Sequence, residues 1–288
     1  MTTSQPSTTG PAAIWRTTPN RTVAAAGAIF AYRRVGEGES VPLVMLNHWG
    51  ATLDNFDPRL VDGLSPGRQV ITLDYRGVGG SSGKAPLTVA EMAADAIAVI
   101  RALGFTEVDL FGFSLGGFVA QDVLRQAPDL VRKVIITGSG PAGGEGIAKV
   151  GAVSWPLILK AMATFKDPKY YLFFTSSQNG RNAASAFLKR LKERALNRDE
   201  PITPAAFRRQ LTAIKNWGLQ PSQDLSGLRH PILVANGDHD IMVPSQNSAD
   251  LARRLPNAEL VLYADAGHGG IFQYHEAFIP TARAFLEA

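Results

Sequence analysis

Thr106-Glu107-Val108-Asp109-Leu110-Phe111-Gly112-Phe113-Ser114-Leu115-Gly116-Gly117-Phe118-Val119-Ala120-Gln121-Asp122-Val123-Leu124-Arg125-Gln126-Ala127 is the stretch from which the rest of the chain can be read. Val108, Leu110, Phe111 and Phe113 form a short apolar run of strand type, and Phe118, Val119, Val123 and Leu124 recur at helical spacing. The turn between them is so tight that its central residue must take strained backbone angles, which requires Gly112 and Gly116 on either side; Gly117 lets the helix pack close. Ser114 is therefore predicted at the end of a strand and the start of a helix. There its hydroxyl can meet a base, and the Leu115 N–H points to where an oxyanion would form.

The same pattern recurs at Gly79-Gly80-Ser81-Ser82-Gly83, but that stretch is polar and runs into Ala85-Pro86 without an apolar-periodic helix. Ser81 and Ser82 read as loop residues.

Outward from Ser114, strand and helix signals alternate. Pro42-Leu43-Val44-Met45-Leu46 is a continuous apolar run of the kind buried on both faces of a parallel sheet, and it ends at Asn47-His48-Trp49-Gly50. Val70-Ile71-Thr72-Leu73 repeats the pattern before Asp74-Tyr75-Arg76-Gly77, with one helix expected between them over 54–64. Thr88 and Glu91 have capping-box spacing and open an alanine-rich helix that Gly104 closes. Three further buried-strand runs lie at 133–137, 231–235 and 259–263, with helices expected over 246–254 and 271–286. Ahead of all these, 23–35 reads as two short strands turning near Gly27. The alternation implies an α/β fold built on a doubly wound, mostly parallel sheet.

The alternation breaks over 138–222. This segment carries 13 Lys and Arg against 5 Asp and Glu and is dense in aromatic residues. Its helical stretches over 183–196 and 204–217 suggest a helical cap, with 22–137 and 223–288 as the core around it. Trp155, Phe173, Phe174 and Trp217, together with Trp49, are the candidates for an apolar substrate pocket.

The 288 residues carry a formal net charge of +4 and no cysteine. The absence of cysteine rules out disulfides, thiolate metal sites and a cysteine nucleophile, and fits a reducing compartment. The basic residues form no dense tract of the nucleic-acid type. Residues 1–13 lack the basic start and apolar centre of a secretory signal, and 1–21 is expected to be a disordered lead-in. No apolar run approaches the roughly 18 residues needed to span a bilayer, so a cytoplasmic protein without a membrane partner is expected.

Ser114 needs a base. His268 lies in a glycine-rich loop, Ala264-Asp265-Ala266-Gly267-His268-Gly269-Gly270, after a strand and before the last helix, so it can reach the strands' carboxyl edge. His275 falls within that helix, His230 at the opposite edge, and His239 beside the acid candidates. Asp238 and Asp240, in Asn236-Gly237-Asp238-His239-Asp240-Ile241-Met242-Val243-Pro244, follow a buried strand, and either can orient an imidazole. The strand before the cap ends in Gly138-Ser139-Gly140, with no acid.

On these residues the chain resembles the α/β-hydrolases over about 22–287. The elbow around Ser114, the acid loop at 237–244 and the Gly267-His268 loop carry the resemblance, in the chain order Ser, Asp, His. The resemblance implies a catalytic triad of Ser114, Asp240 and His268, favours Asp240 over Asp238, and identifies 138–222 as the cap. It also implies an oxyanion hole made by Leu115 and a residue after the first main strand. In place of the family's frequent His-Gly this chain has His48-Trp49-Gly50, so either Trp49 or Gly50 can be the second donor, with Trp49 preferred and His48 bracing the loop.

The expected chemistry is hydrolysis of a carboxylic ester or lactone, hydrophobic rather than charged, through an acyl-enzyme and with no metal or organic cofactor. Perhydrolysis or carbon–carbon bond cleavage by the same triad, and a ligand receptor that keeps the fold, are the alternatives. Serine at the elbow argues against the dehalogenase and epoxide hydrolase branches, which use aspartate there.

Overall fold

The apolar runs form central strands because helices cover both of their faces. The computed structural model describes residues 14–288. Its strands are β1 (Arg21–Ala25), β2 (Ala28–Val35), β3 (Ser40–Leu46), β4 (Arg68–Leu73), β5 (Val108–Phe113), β6 (Val131–Thr137), β7 (Ile232–Gly237) and β8 (Ala258–Tyr263). They make one sheet in the order β1-β2-β4-β3-β5-β6-β7-β8. Pairing is parallel from β4 across to β8, and β1 and β2 add an antiparallel edge whose turn places Ala26 and Gly27 at positive φ. Every residue of β5 is buried, as a strand at the centre of a two-sided core requires. Each fully buried Leu or Val there contributes roughly 1.5–3 kcal/mol.

The first helices are α1 (Pro58–Leu64), α2 (Val89–Ala102) and α3 (Leu115–Gln126). The helix expected over 54–64 is shorter, because Asp57 caps α1 and Pro58 occupies its first turn. The capping box of Thr88 and Glu91 is present at the start of α2. After β6 the chain leaves the sheet for α4 (Val150–Ala163), α5 (Lys169–Leu172), α6 (Gln178–Leu191) and α7 (Pro204–Gly218), and returns as β7. The last helices are α8 (Gln246–Arg254), α9 (Gly270–Gln273) and α10 (His275–Glu287); the single helix expected over 271–286 is broken at Tyr274. Among the described residues no helix is long and apolar enough to cross a membrane.

Two expectations need correction. Of the lead-in assigned to 1–21, residues 1–13 lie outside the described residues, but the chain from Ile14 is ordered. Trp15 is only 1% exposed because its ring packs edge-on against Phe56 and lies under the Arg33 guanidinium, while its backbone N–H donates to Asp62 Oδ1 at 2.8 Å. β8 was expected as a buried strand. It is the sheet's edge, and Leu260 and Leu262 are exposed on it.

Candidate active site

Ser114 sits between β5 and α3 with φ 56° and ψ −116°, outside the strand and helix regions. A β-carbon on Gly112 would lie 2.4 Å from the Gly116 carbonyl oxygen, and one on Gly116 would lie 2.0 Å from that of Leu46, so no other residue fits either place. The strained serine is held from both sides: its N–H donates to Thr137 O at 2.8 Å, and its carbonyl accepts from Gly117 N–H and Ser139 Oγ.

His268 follows β8 and is 1% exposed. Its Nδ1 lies 2.7 Å from Asp240 Oδ2, which makes Nδ1 the donor and leaves Nε2 as the acceptor, and Nε2 has no protein partner. The ring is wedged against Phe113 and Phe173, with centroids 5.0 and 5.4 Å away. The Asp240 carboxylate is itself held by donors: Met242 N–H and Val243 N–H reach Oδ1 at 2.8 and 3.0 Å, and Asn236 Nδ2 reaches Oδ2 at 3.2 Å. Three donors on one buried carboxylate hold it rigidly in place. Asp238, two residues earlier, points away and pairs with the exposed His239. His230 bonds Pro128 O, and His275 bonds Phe272 O on α9.

The loop after β3 faces Ser114. Gly50 N–H donates to Gln210 Oε1 of α7 at 2.9 Å, whereas neither Trp49 N–H nor Leu115 N–H has a protein acceptor among the described residues. The Trp49 indole donates to Phe207 O at 2.8 Å and stacks on the Phe207 ring, centroids 4.3 Å apart. His48 donates from Nδ1 to Trp49 O at 2.8 Å. Burial, with the nearby Lys169 ammonium, pushes the His48 pKa down to about 3, so the ring is a neutral brace for the loop.

These groups open on one cavity of about 270 Å³, lined by Ser114, His268, His48 and Trp49 from the sheet edge. Trp155 and Phe173, both singled out in the sequence, line it from the inserted helices. Phe174 and Trp217 do not, which corrects that expectation. Phe174 turns into the packing around Phe187, centroids 5.6 Å apart, and Trp217 stacks on Phe118 of α3 with its indole N–H on Gly140 O. The sequence reading missed Phe207, Ile158, Leu172 and Met242, and with them Asp167 and Lys169, whose side chains pair at 3.3 Å on the cavity wall. Phe207 carried one signal, its place among the dense aromatic residues of 138–222.

A profile of the alpha/beta hydrolase fold matches residues 41–273. The chain is 40% identical to an alpha/beta hydrolase fold protein from Chitinophaga pinensis, with a TM-score of 0.90 covering 96% of this chain and 99% of that one. It is 28% identical to the pimeloyl-[acyl-carrier protein] methyl ester esterase of Aliivibrio salmonicida, over 87% of this chain and 94% of that protein. It is also 28% identical to the poly(3-hydroxyalkanoate) depolymerase of Ectopseudomonas oleovorans, over 88% and 87% respectively.

Proposed function

Because the chain belongs to the alpha/beta hydrolase fold family and is an enzyme of that family, we propose that it hydrolyses a hydrophobic carboxylic ester or lactone through Ser114, His268 and Asp240. The observation that carries this reading is the His268–Asp240 pair at 2.7 Å, with Nε2 of the same imidazole unpartnered on the cavity that Ser114 lines. The relative named a methyl ester esterase supports ester chemistry.

In this mechanism His268 Nε2 takes the Ser114 hydroxyl proton as Oγ attacks the acyl carbon. Asp240 holds the tautomer and stabilises the imidazolium. The oxyanion is received by Leu115 N–H and Trp49 N–H; Trp49 is preferred over Gly50 because the Gly50 N–H is already given to Gln210. His268 then protonates the leaving alkoxide, and water, deprotonated by the same imidazole, releases the acid. The inserted helices act as the cap, over 138–222, and their apolar side chains meet the acyl group. The Asp167–Lys169 pair adds no net charge to the cavity.

The test is release of p-nitrophenol from short and medium acyl esters by the wild-type chain and by Ser114→Ala. Turnover by the first and none by the second is expected. Failure of the wild type on every ester would leave the receptor alternative standing.

A further inference from the structure

Two carboxyl groups outside the triad meet where the inserted helices lead back to the sheet. Asp74 follows β4 and is 2% exposed, and among the described residues neither of its side-chain oxygens has a hydrogen-bond donor. Asp199 faces it from 192–203, the leg that joins α6 to α7. A β-carbon on Gly79 would lie 2.3 Å from Asp74 Oδ2 and 2.4 Å from Asp199 Oδ2, so the two oxygens confront each other across the side chain that this glycine lacks.

The neighbouring charges do not relieve the pair. Three guanidinium groups approach from β2 and the leg, and all of them go to Asp54: Arg33 at 2.5 Å, Arg198 at 3.1 Å and Arg194 at 3.7 Å. On the loop after β4, Tyr75 bonds Asn47 O and Arg76 bonds Asp95. Asp199 accepts backbone N–H groups from Gly80 and Glu200 at Oδ1, at 3.0 and 2.9 Å, and from Leu53 at Oδ2, at 3.1 Å. Asp74 is buried with no donor and the half-buried Asp199 faces it at close range, so ionising both carboxyls at once is strongly disfavoured. The donors in hydrogen-bond geometry go to Asp199 rather than to Asp74, and burial together with the facing Asp199 carboxyl favours the protonated form of Asp74.

We propose that Asp74 and Asp199 share one proton, and that this acid pair is a clasp that fastens the leg 192–203 to the loop after β4 and loosens as pH rises. Burial first, and then Asp199, push the Asp74 pKa well above the usual carboxylate range. A carboxyl group whose pKa is raised by folding binds a proton that the unfolded chain has already lost. Its contribution to stability is therefore complete below the ordinary carboxylate range and declines as pH climbs through the raised value. Asp199 also fixes Leu53 N–H, in the segment that continues from His48-Trp49-Gly50, so loosening the leg reaches the loop beside the cavity.

The test is native-state hydrogen exchange of 192–203 together with the melting temperature, in wild type and Asp74→Asn, from just above the ordinary carboxylate range, about pH 4, to about pH 9. In Asp74→Asn an amide N–H replaces the shared proton and does not titrate. In wild type the opening constant of the leg, corrected for intrinsic exchange, should rise by up to about tenfold per pH unit within the window, and the melting temperature should fall. Asp74→Asn should flatten both trends. A protonated carboxyl band in the infrared spectrum that persists above the ordinary carboxylate range, lost in Asp74→Asn, is the direct signature. Parallel pH trends in the two proteins, or no such band, would overturn the clasp. If Asp74→Asn does not fold, Asp199→Asn decides the matter by the same flattening or its absence.

Discussion

The sheet edge and the inserted helices face each other across one cavity, and they are specified in different ways. At the sheet edge each functional group is set by its own few residues. Gly112 and Gly116 permit the backbone of Ser114, two N–H groups within three residues hold Asp240, and a glycine loop delivers His268. On the insertion side, being aromatic and being in the cavity are separate properties. Trp155 and Phe173 line it, Phe174 and Trp217 pack elsewhere, and Phe207 enters because α7 docks with that face down. Geometry set by local backbone rules is therefore legible in sequence. Pocket shape, which depends on how one layer sits on another, is not.

The comparison is most exposed to failure at Ser114. Ser114→Ala should lower kcat by at least about 10⁴-fold while the fold, followed by circular dichroism, is kept. A residual rate above about one hundredth of wild type would break the sheet-edge half of the argument.

Next come the two aspartates of the acid loop. Asp240→Asn should lower kcat by about 10³–10⁴-fold through loss of the correct imidazole tautomer, and Asp238→Asn, whose carboxylate faces exposed His239, should stay within about threefold. Equal losses in steady-state assays would mean that the acid is misassigned.

On the insertion side the expected effects are smaller and split by position. Trp217→Ala should cost about 3–5 kcal/mol in denaturant unfolding, because the indole is fully buried on Phe118, yet leave kcat/KM of the folded fraction nearly unchanged. Phe207→Ala should do the reverse, weakening kcat/KM for medium-chain esters by about tenfold at little cost in stability, since its ring is half-buried on the cavity. If both variants behave alike, lining and packing are not separable here.

The smallest effect concerns charge. With Lys169 paired to Asp167, a neutral medium-chain ester should be preferred over a carboxylate-bearing analogue by several-fold, with little dependence on salt. A strong, salt-sensitive preference for the anionic ester in kcat/KM would show that the ammonium is free to bind substrate.

The sheet was legible because its central strands are continuous apolar runs, and the Ser114 turn because its glycines sit at sterically forced positions. The signal failed where burial is decided from a distance. Glu259-Leu260-Val261-Leu262-Tyr263 has a buried strand's composition but lies at the edge, with β7 as its only strand neighbour among the described residues. Trp15 looked like part of a lead-in because Phe56 and Arg33, which bury it, are far along the chain. Sequence alone does not separate Trp49 from Gly50 for the same reason, since the partner of Gly50 N–H is Gln210, far along the chain.

That last contact also bears on how this protein can be re-engineered. Gln210 Oε1 and the Phe207 carbonyl, three residues apart on α7, hold the Gly50 amide and the Trp49 indole. A chimera that took its insertion from a relative would lose both acceptors at once and release a half-buried Gly50 donor to compete for whatever anion the cavity receives. Grafts should therefore retain 207–210 with the recipient's own loop, or redesign helix and loop as one unit.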